Sequence, residues 1–205
     1  MAASGDFNLS KTRLESFSDG VFAVAITLLV LELHLPAWTH PPSQSEQIGA
    51  LVRIWPQYLV YFVSFGTIGI MWLNHHALLR NCERISHGMV LANLLLLSLI
   101  AFLPFPTEVL ARVGVTSIAV VYYGLTMIAI SIAYNVLLQQ VFAAHPEYRR
   151  PLNRWSLIGL TFYPLATIIG FFWPMGGIVA MGLLALFYMQ ARNVRSVALQ
   201  LHEQN

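Results

Sequence analysis

The chain has 205 residues, of which 57% are hydrophobic and only 10% charged, and its mean hydropathy is +0.66. A soluble domain carries about a quarter charged residues, so polar side chains cannot cover a globule of this size and lipid must replace water over much of its exterior. A soluble enzyme and a free-standing nucleic-acid-binding domain are thereby excluded, and the formal net charge of +2 matters less than where the charges fall.

A membrane-crossing helix needs about 20 mostly apolar residues. Met1 to Thr12 is polar, with no apolar core ahead of Arg13, so no removable signal peptide is expected. The first span runs from Arg13 to Leu35 and is ended by Pro36, ahead of a polar, proline-bearing loop through Gln47. The second covers Leu51 to Leu79 and closes on the basic turn Arg80-Asn81-Cys82-Glu83-Arg84. The third runs from Ile85 to Leu103, where Pro104 and Pro106 stop or kink it. Val113 to Ala144 is long enough to cross with tilt. The uncharged stretch from Trp155 to Ala191 is too long for one helix, and Gly170 and Trp173-Pro174-Met175-Gly176-Gly177 divide it. The fold class is therefore all-α integral membrane: one domain over 1–205 with about six spans, at 13–35, 51–79, 85–103, 113–144, 155–171 and 174–195. No internal repeat, low-complexity tract or appended soluble domain accompanies it.

Orientation comes from the basic residues. With a cytoplasmic N-terminus, the inner segments hold Lys11, Arg13, Arg80, Arg84, Arg149, Arg150, Arg154, Arg192 and Arg195, whereas the outer ones hold Arg53 and Arg112. Both termini are thus expected in the cytoplasm of a plasma-membrane protein, with Arg192 to Asn205 extending the last helix into water. Trp38, Trp55, Tyr58, Tyr122, Tyr123 and Trp173 are expected at the outer interface, Tyr148 and Trp155 at the inner one. Cys82 is the single cysteine, which excludes an intrachain disulfide and a cysteine-based zinc site.

Against this apolar background the polar exceptions carry the information. Asp19 lies about 9 Å along the helix axis from Arg13, His75 and His76 lie at a similar distance from Arg80, and Asn93 lies about 12 Å past Ile85. With Trp72 and Asn74 they sit at one depth, toward the cytoplasm. An ionised Asp19 there needs Arg13, a histidine or an amide as partner. The cluster either glues three helices together or, with Asp19 and the histidine pair, relays protons. Metal or haem ligation is disfavoured, since adjacent histidines point about 100° apart and no third ligand is spaced to join them. On the fourth span Tyr134, Asn135 and Gln139 are expected to hydrogen-bond across helices.

The first helix has a second feature. Gly20, Val24, Thr27, Leu31 and His34 fall on one line at helical spacing, beside the line that bears Asp19. That stripe is either ordinary packing, with Thr27 bonded to the Ala23 carbonyl, or a pore-lining face of apolar rings and one hydroxyl ring. Glu32, at the outer end, either pairs with Arg53 or forms a negative ring that attracts cations.

The run Arg13-Leu14-Glu15-Ser16-Phe17-Ser18-Asp19, continued by Gly20 to Glu32, resembles the first helix of the transmembrane protein 175 family of potassium channels, whose signature is Arg-x-x-x-Phe-Ser-Asp. Trp72 to His76 and Asn93 are similar to its later helices more loosely. The resemblance implies a potassium-permeable cation channel without cofactor, in which short prokaryotic chains assemble as homotetramers and the first helix of each lines the pore. No re-entrant filter is implied, in keeping with the lack of a Thr-Val-Gly-Tyr-Gly segment and of arginines at every third residue. Carried over by position, Val24 would form the apolar constriction, Thr27 the hydroxyl ring and Leu31 the next apolar ring. Arg13, Ser18 and Asp19 would pin the inner end through Trp72, His75 or His76, and Asn93. The family often has leucine or isoleucine where this chain has Val24, and a smaller ring dewets less readily. The alternative reading is a proton-coupled six-helix secondary transporter or exporter using Asp19 and the His75/His76 pair. An intramembrane enzyme finds no Gly-x-Ser-x-Gly or His-Glu-x-x-His motif in the spans.

Overall fold

A computed structural model describes residues 10–80, 82, 85–144 and 149–190, with side chains at 10–80, 82, 85–144 and 158–187. The structured elements are α1 (Lys11–Leu28), a 3-10 turn (Leu29–Glu32), α2 (Gln44–Arg53), α3 (Trp55–Arg80), α4 (His87–Phe102), α5 (Pro104–Val113), α6 (Ser117–Ala144), α7 (Arg149–Phe172) and α8 (Pro174–Gln190). The chain is all-helical among the described residues. Lys11–Glu32, Trp55–Arg80, His87–Val113 and Ser117–Ala144 are long and apolar enough to cross a membrane; Ile158–Phe172 and Pro174–Phe187 are shorter apolar helices. The extension of the last helix to residue 195, the arginines at 192 and 195, and the aromatic at 148 lie outside the described residues.

Three of the expected boundaries differ. The loop after the first span contains α2, whose start is fixed by a capping box: the Ser43 hydroxyl accepts from the Glu46 backbone N–H, and the Glu46 carboxylate accepts from the Ser43 backbone N–H. These bonds hold the exposed Glu46 carboxyl below its ordinary range. Pro104 does not end the third span. α4 stops at Phe102, and Pro104 opens α5 in the first helical position, where a missing N–H is harmless. Finally, α1 tightens into a 3-10 turn after Leu28 and the chain leaves helix at Leu33.

α1 packs on α3 and α4, α4 on α6, α6 on α7, α7 on α8, and α8 returns to α3, so the helices close a ring. α5 wedges between α3 and α6 and touches the 3-10 turn. Phe22, Leu29, Ile68, Met89, Ile100, Met127 and Ile130 are among the side chains buried in the shared core. In lipid, such burial gains packing rather than desolvation, which favours small residues where backbones meet. Hydroxyls fill the remaining polar needs: Ser64 of α3 hydrogen-bonds Thr107 of α5 and Tyr123 of α6, each at 3.0 Å. Tyr123 is fully buried between helices, where Ser64 gives its hydroxyl a partner.

α7 and α8 approach each other closely at two glycines. A Cβ at Gly177 would sit 2.8 Å from the Gly170 nitrogen and 3.1 Å from the Ala166 oxygen, against backbone that has no rotamer to change. Gly177→Ala is therefore expected to lower stability by at least the ~1–3 kcal/mol of an overpacked site. Gly69→Ala, with nothing within 4 Å of its Cβ, should be neutral. Thermal midpoints of the two variants, with size-exclusion in detergent, compare them directly; equal midpoints would refute the close approach.

Candidate functional site

α1 has two unlike faces. Leu14, Ser18, Phe22, Ala25 and, one turn on, Leu29 are buried against the bundle. Gly20, Ala23, Val24, Thr27 and Leu31 are exposed, Val24 at 57% and Leu31 at 65%. Phe17, Gly20, Val21, Val24, Leu28 and Ala101 line an open apolar groove along this side. The Thr27 hydroxyl donates to the Ala23 and Val24 carbonyls, both at 2.9 Å. Its hydrogen thus points back to the helix, and its lone pairs remain free for a cation. The hydrogen bond expected of a packing residue and the free oxygen expected of an ion-facing one coexist in the same side chain.

The inner polar cluster divides into two branches. In the buried branch, His75 Nε2–H donates to Asn93 Oδ1 at 2.6 Å and Asn93 Nδ2 donates to Ser18 Oγ at 3.0 Å; the Ser18 hydroxyl donates to the Leu14 carbonyl at 2.8 Å. All three side chains are almost fully buried. The chain of bonds ties α3 to α4 to α1. In the second branch Trp72 Nε1–H donates to Asp19 Oδ1 at 2.7 Å on the exposed side of the helix, and His76 lies against the Trp72 ring with centroids 6.0 Å apart.

Arg13 departs from expectation. It is exposed and, among the described residues, makes no side-chain hydrogen bond or ion pair; Lys11 instead donates to the Arg80 carbonyl and tethers α1 to the end of α3. The two branches also bear on the transporter alternative. The His75 chain ends on a backbone carbonyl, and Asp19 is held by an indole that donates only. No hydrogen-bonded path joins the histidine pair to Asp19 among the described residues. Asn135 on α6 bonds the Ser131 carbonyl of its own helix.

The outer end holds a polar clasp that spacing did not reveal. His34, placed by α-helical spacing on the pore line, lies past the helix end and turns away from it. Its backbone N–H donates to Gln57 Oε1 at 2.9 Å, and Gln57 Nε2 donates to the Ala111 carbonyl at 3.1 Å. The His34 ring bonds the Glu32 carbonyl through Nδ1 at 2.8 Å and Arg112 through Nε2 at 3.2 Å. Arg112 pairs with Glu108 at 2.6 Å. Glu32 is half-buried among Glu108, His34 and Arg112 and makes no ion pair with Arg53 among the described residues. The signal for the clasp was the polar trio Glu32, His34 and Arg112 at one membrane face. The missing information was where the helix ends: after the 3-10 turn the chain becomes extended at Leu33, so helical spacing no longer places His34.

Comparison with known proteins agrees in fold and family. Residues 13–104 match the family described as endosomal/lysosomal potassium channel TMEM175. A potassium channel of Streptomyces collinus is 36% identical, covering 86% of this chain and 90% of that protein. A potassium channel of Chamaesiphon minutus is 40% identical over 73% of this chain and 74% of its own. The crystal structure of a lysosomal potassium-selective channel TMEM175 homolog from Chamaesiphon minutus superposes with a TM-score of 0.79 at 31% identity, covering 89% of this chain and 98% of that one.

Proposed function

This chain belongs to the TMEM175 family of ion channels, and from that premise we propose that it is a potassium-permeable cation channel whose pore is walled by α1 from each of several copies. The observation that carries this reading is the division of α1: one face locked into the bundle by the Ser18–Asn93–His75 bonds, the other left open with Val24, Thr27 and Leu31. A pore helix needs both, a fixed back and a free front. It is a channel rather than an enzyme, needs no cofactor, and carries potassium as its permeant ion. The transporter alternative has no support in the relatives or in the polar network.

In this reading six helices cross the membrane, with α7 and α8 as the fifth and sixth spans, and both termini are cytoplasmic in the plasma membrane by the bias of Lys and Arg. Four copies form the channel. Val24 and Leu31 form apolar rings that hold water out of the closed pore, and the Thr27 oxygens touch the ion between them. Asp19 with Trp72, and Ser18 with Asn93 and His75, fix the inner end; Glu32 adds negative charge that concentrates cations at the outer mouth.

The test is a reversal potential from purified protein in planar bilayers under opposing potassium and sodium gradients. Unitary steps reversing near the potassium potential support a selective channel; proton-dependent flux without steps would restore the transporter. Thr27→Val keeps shape and removes the oxygen, so its reversal potential should move toward zero. An unaltered value would take Thr27 out of the ion path.

A further inference from the structure

We propose that α2 is a membrane-surface anchor whose apolar stripe lies in the phospholipid leaflet at the face where α1 ends and α3 begins. The helix has three unlike sides. At about 100° per residue, Ile48, Leu51 and Val52 fall on one of them, and Trp55, the first residue of α3, stands at the end of the stripe. These four side chains are 63%, 48%, 66% and 54% exposed. Ala50 and the junction residue Ile54 are buried on a second side, against the bundle. Glu46 and Arg53 are exposed on the third. A helix laid along a membrane surface needs these three sides: one against its own protein, one in the acyl boundary and one in water.

What covers the stripe follows from its place. α2 lies in the chain between the ends of two spans, Lys11–Glu32 and Trp55–Arg80, which holds it at the level of lipid headgroups. Helix geometry breaks at Ile54, where ψ is 13°, and α3 starts anew at Trp55. Beyond Trp55 the exposed apolar surface continues within the span at Phe62 and Phe65, so the stripe joins a surface that the composition assigns to lipid. Trp55 suits the boundary, with an apolar ring and one N–H for the headgroups. Arg53, exposed and without an ion pair among the described residues, brings a guanidinium whose fork matches phosphate. The linker 33–42 joins α2 to the end of the first span, so an anchored α2 also fixes the depth of that end. Nothing in this depends on which helix lines the pore.

The test is spin-label accessibility of the full chain in phosphatidylcholine–phosphatidylglycerol vesicles. Cys82 is fully buried and stays unlabelled. Nitroxides on Leu51→Cys and Val52→Cys should be relaxed more by oxygen, which concentrates in the bilayer, than by a water-soluble nickel chelate. Arg53→Cys should show the reverse. Nickel relaxation at Leu51→Cys and Val52→Cys as strong as at Arg53→Cys would place the stripe in water. Exclusion of both reagents, with spin–spin broadening, would mean that a second copy covers it. Either result overturns the proposal. If the labelled chains do not assemble, Trp55→Phe gives a second measurement: the emission it removes from the wild type should be quenched by lipids brominated near the headgroup. Emission that such lipids leave unquenched overturns the proposal equally.

Discussion

Val24→Trp is expected to reduce potassium current to background while leaving the subunit fold unaltered. The side chain is 57% exposed on the free face of α1, with Gly20 one turn inward and Thr27 one turn outward, so an indole there displaces no core neighbour. Repeated around an axis, it fills whatever passage the valines leave. Val24→Ala should act in the opposite sense: a smaller apolar ring wets more readily, and leak through the resting channel should rise. Recording both variants beside a size-exclusion profile separates two roles. Silent channels with intact assembly place Val24 at the constriction; loss of assembly with Trp would make it a contact between copies. Normal conductance in both variants would move the constriction elsewhere.

Asn93→Leu should produce the largest loss of stability among the polar positions. It removes at once the acceptor for His75 Nε2–H and the donor to Ser18 Oγ, all within a fully buried contact of α1, α3 and α4. Stranding a buried polar group costs about 1–3 kcal/mol, although hydrogen bonds between membrane helices average only about 0.6 kcal/mol. The expected total lies at about 1–4 kcal/mol. The asymmetry of such bonds supplies the sharper check. Asn93→Leu combined with His75→Phe leaves no stranded imidazole and should recover part of the loss, whereas Ser18→Ala alone should cost less, because the Ser18 hydroxyl already bonds the Leu14 carbonyl. Thermal unfolding in detergent would read all three, and a double variant no more stable than Asn93→Leu alone would reject the network as described.

Much of this arrangement was legible before any coordinates, and the exceptions have definite causes. Charges and prolines located the long helices and the break before Pro174 because lipid tolerates neither an unpaired charge nor an unpaired backbone group. The common depth expected of Asp19, Trp72, Asn74, His75, His76 and Asn93 was readable for the same reason, whereas Ser18 came only from the family resemblance. Which side chain bonded which was not readable: rise along an axis gives depth, while the azimuth that paired Asp19 with Trp72 and left Arg13 alone depends on how helices pack. α2 was visible in principle, since Ser43-x-x-Glu46 is a capping signature, but the prolines before it read as loop. Pro104 shows the converse ambiguity, for a proline that breaks one helix is equally suited to begin the next. That Tyr123 turns into the bundle was not readable, because its hydroxyl partner Ser64 lies on another helix. Past Leu28 the α-helical ruler itself failed, and with it the place of His34.

The open face of α1 also has a genetic consequence. In the proposed arrangement every copy contributes one stave to the pore wall and none is spare, so a subunit that folds and assembles but carries a blocking side chain at position 24 would spoil each channel it joins. Co-expressed with the wild type, such an allele should be dominant over it, whereas a chain weakened at Asn93 or Gly177 never reaches the assembly and should behave as recessive. The pattern of inheritance would thus distinguish the front of the helix from its back.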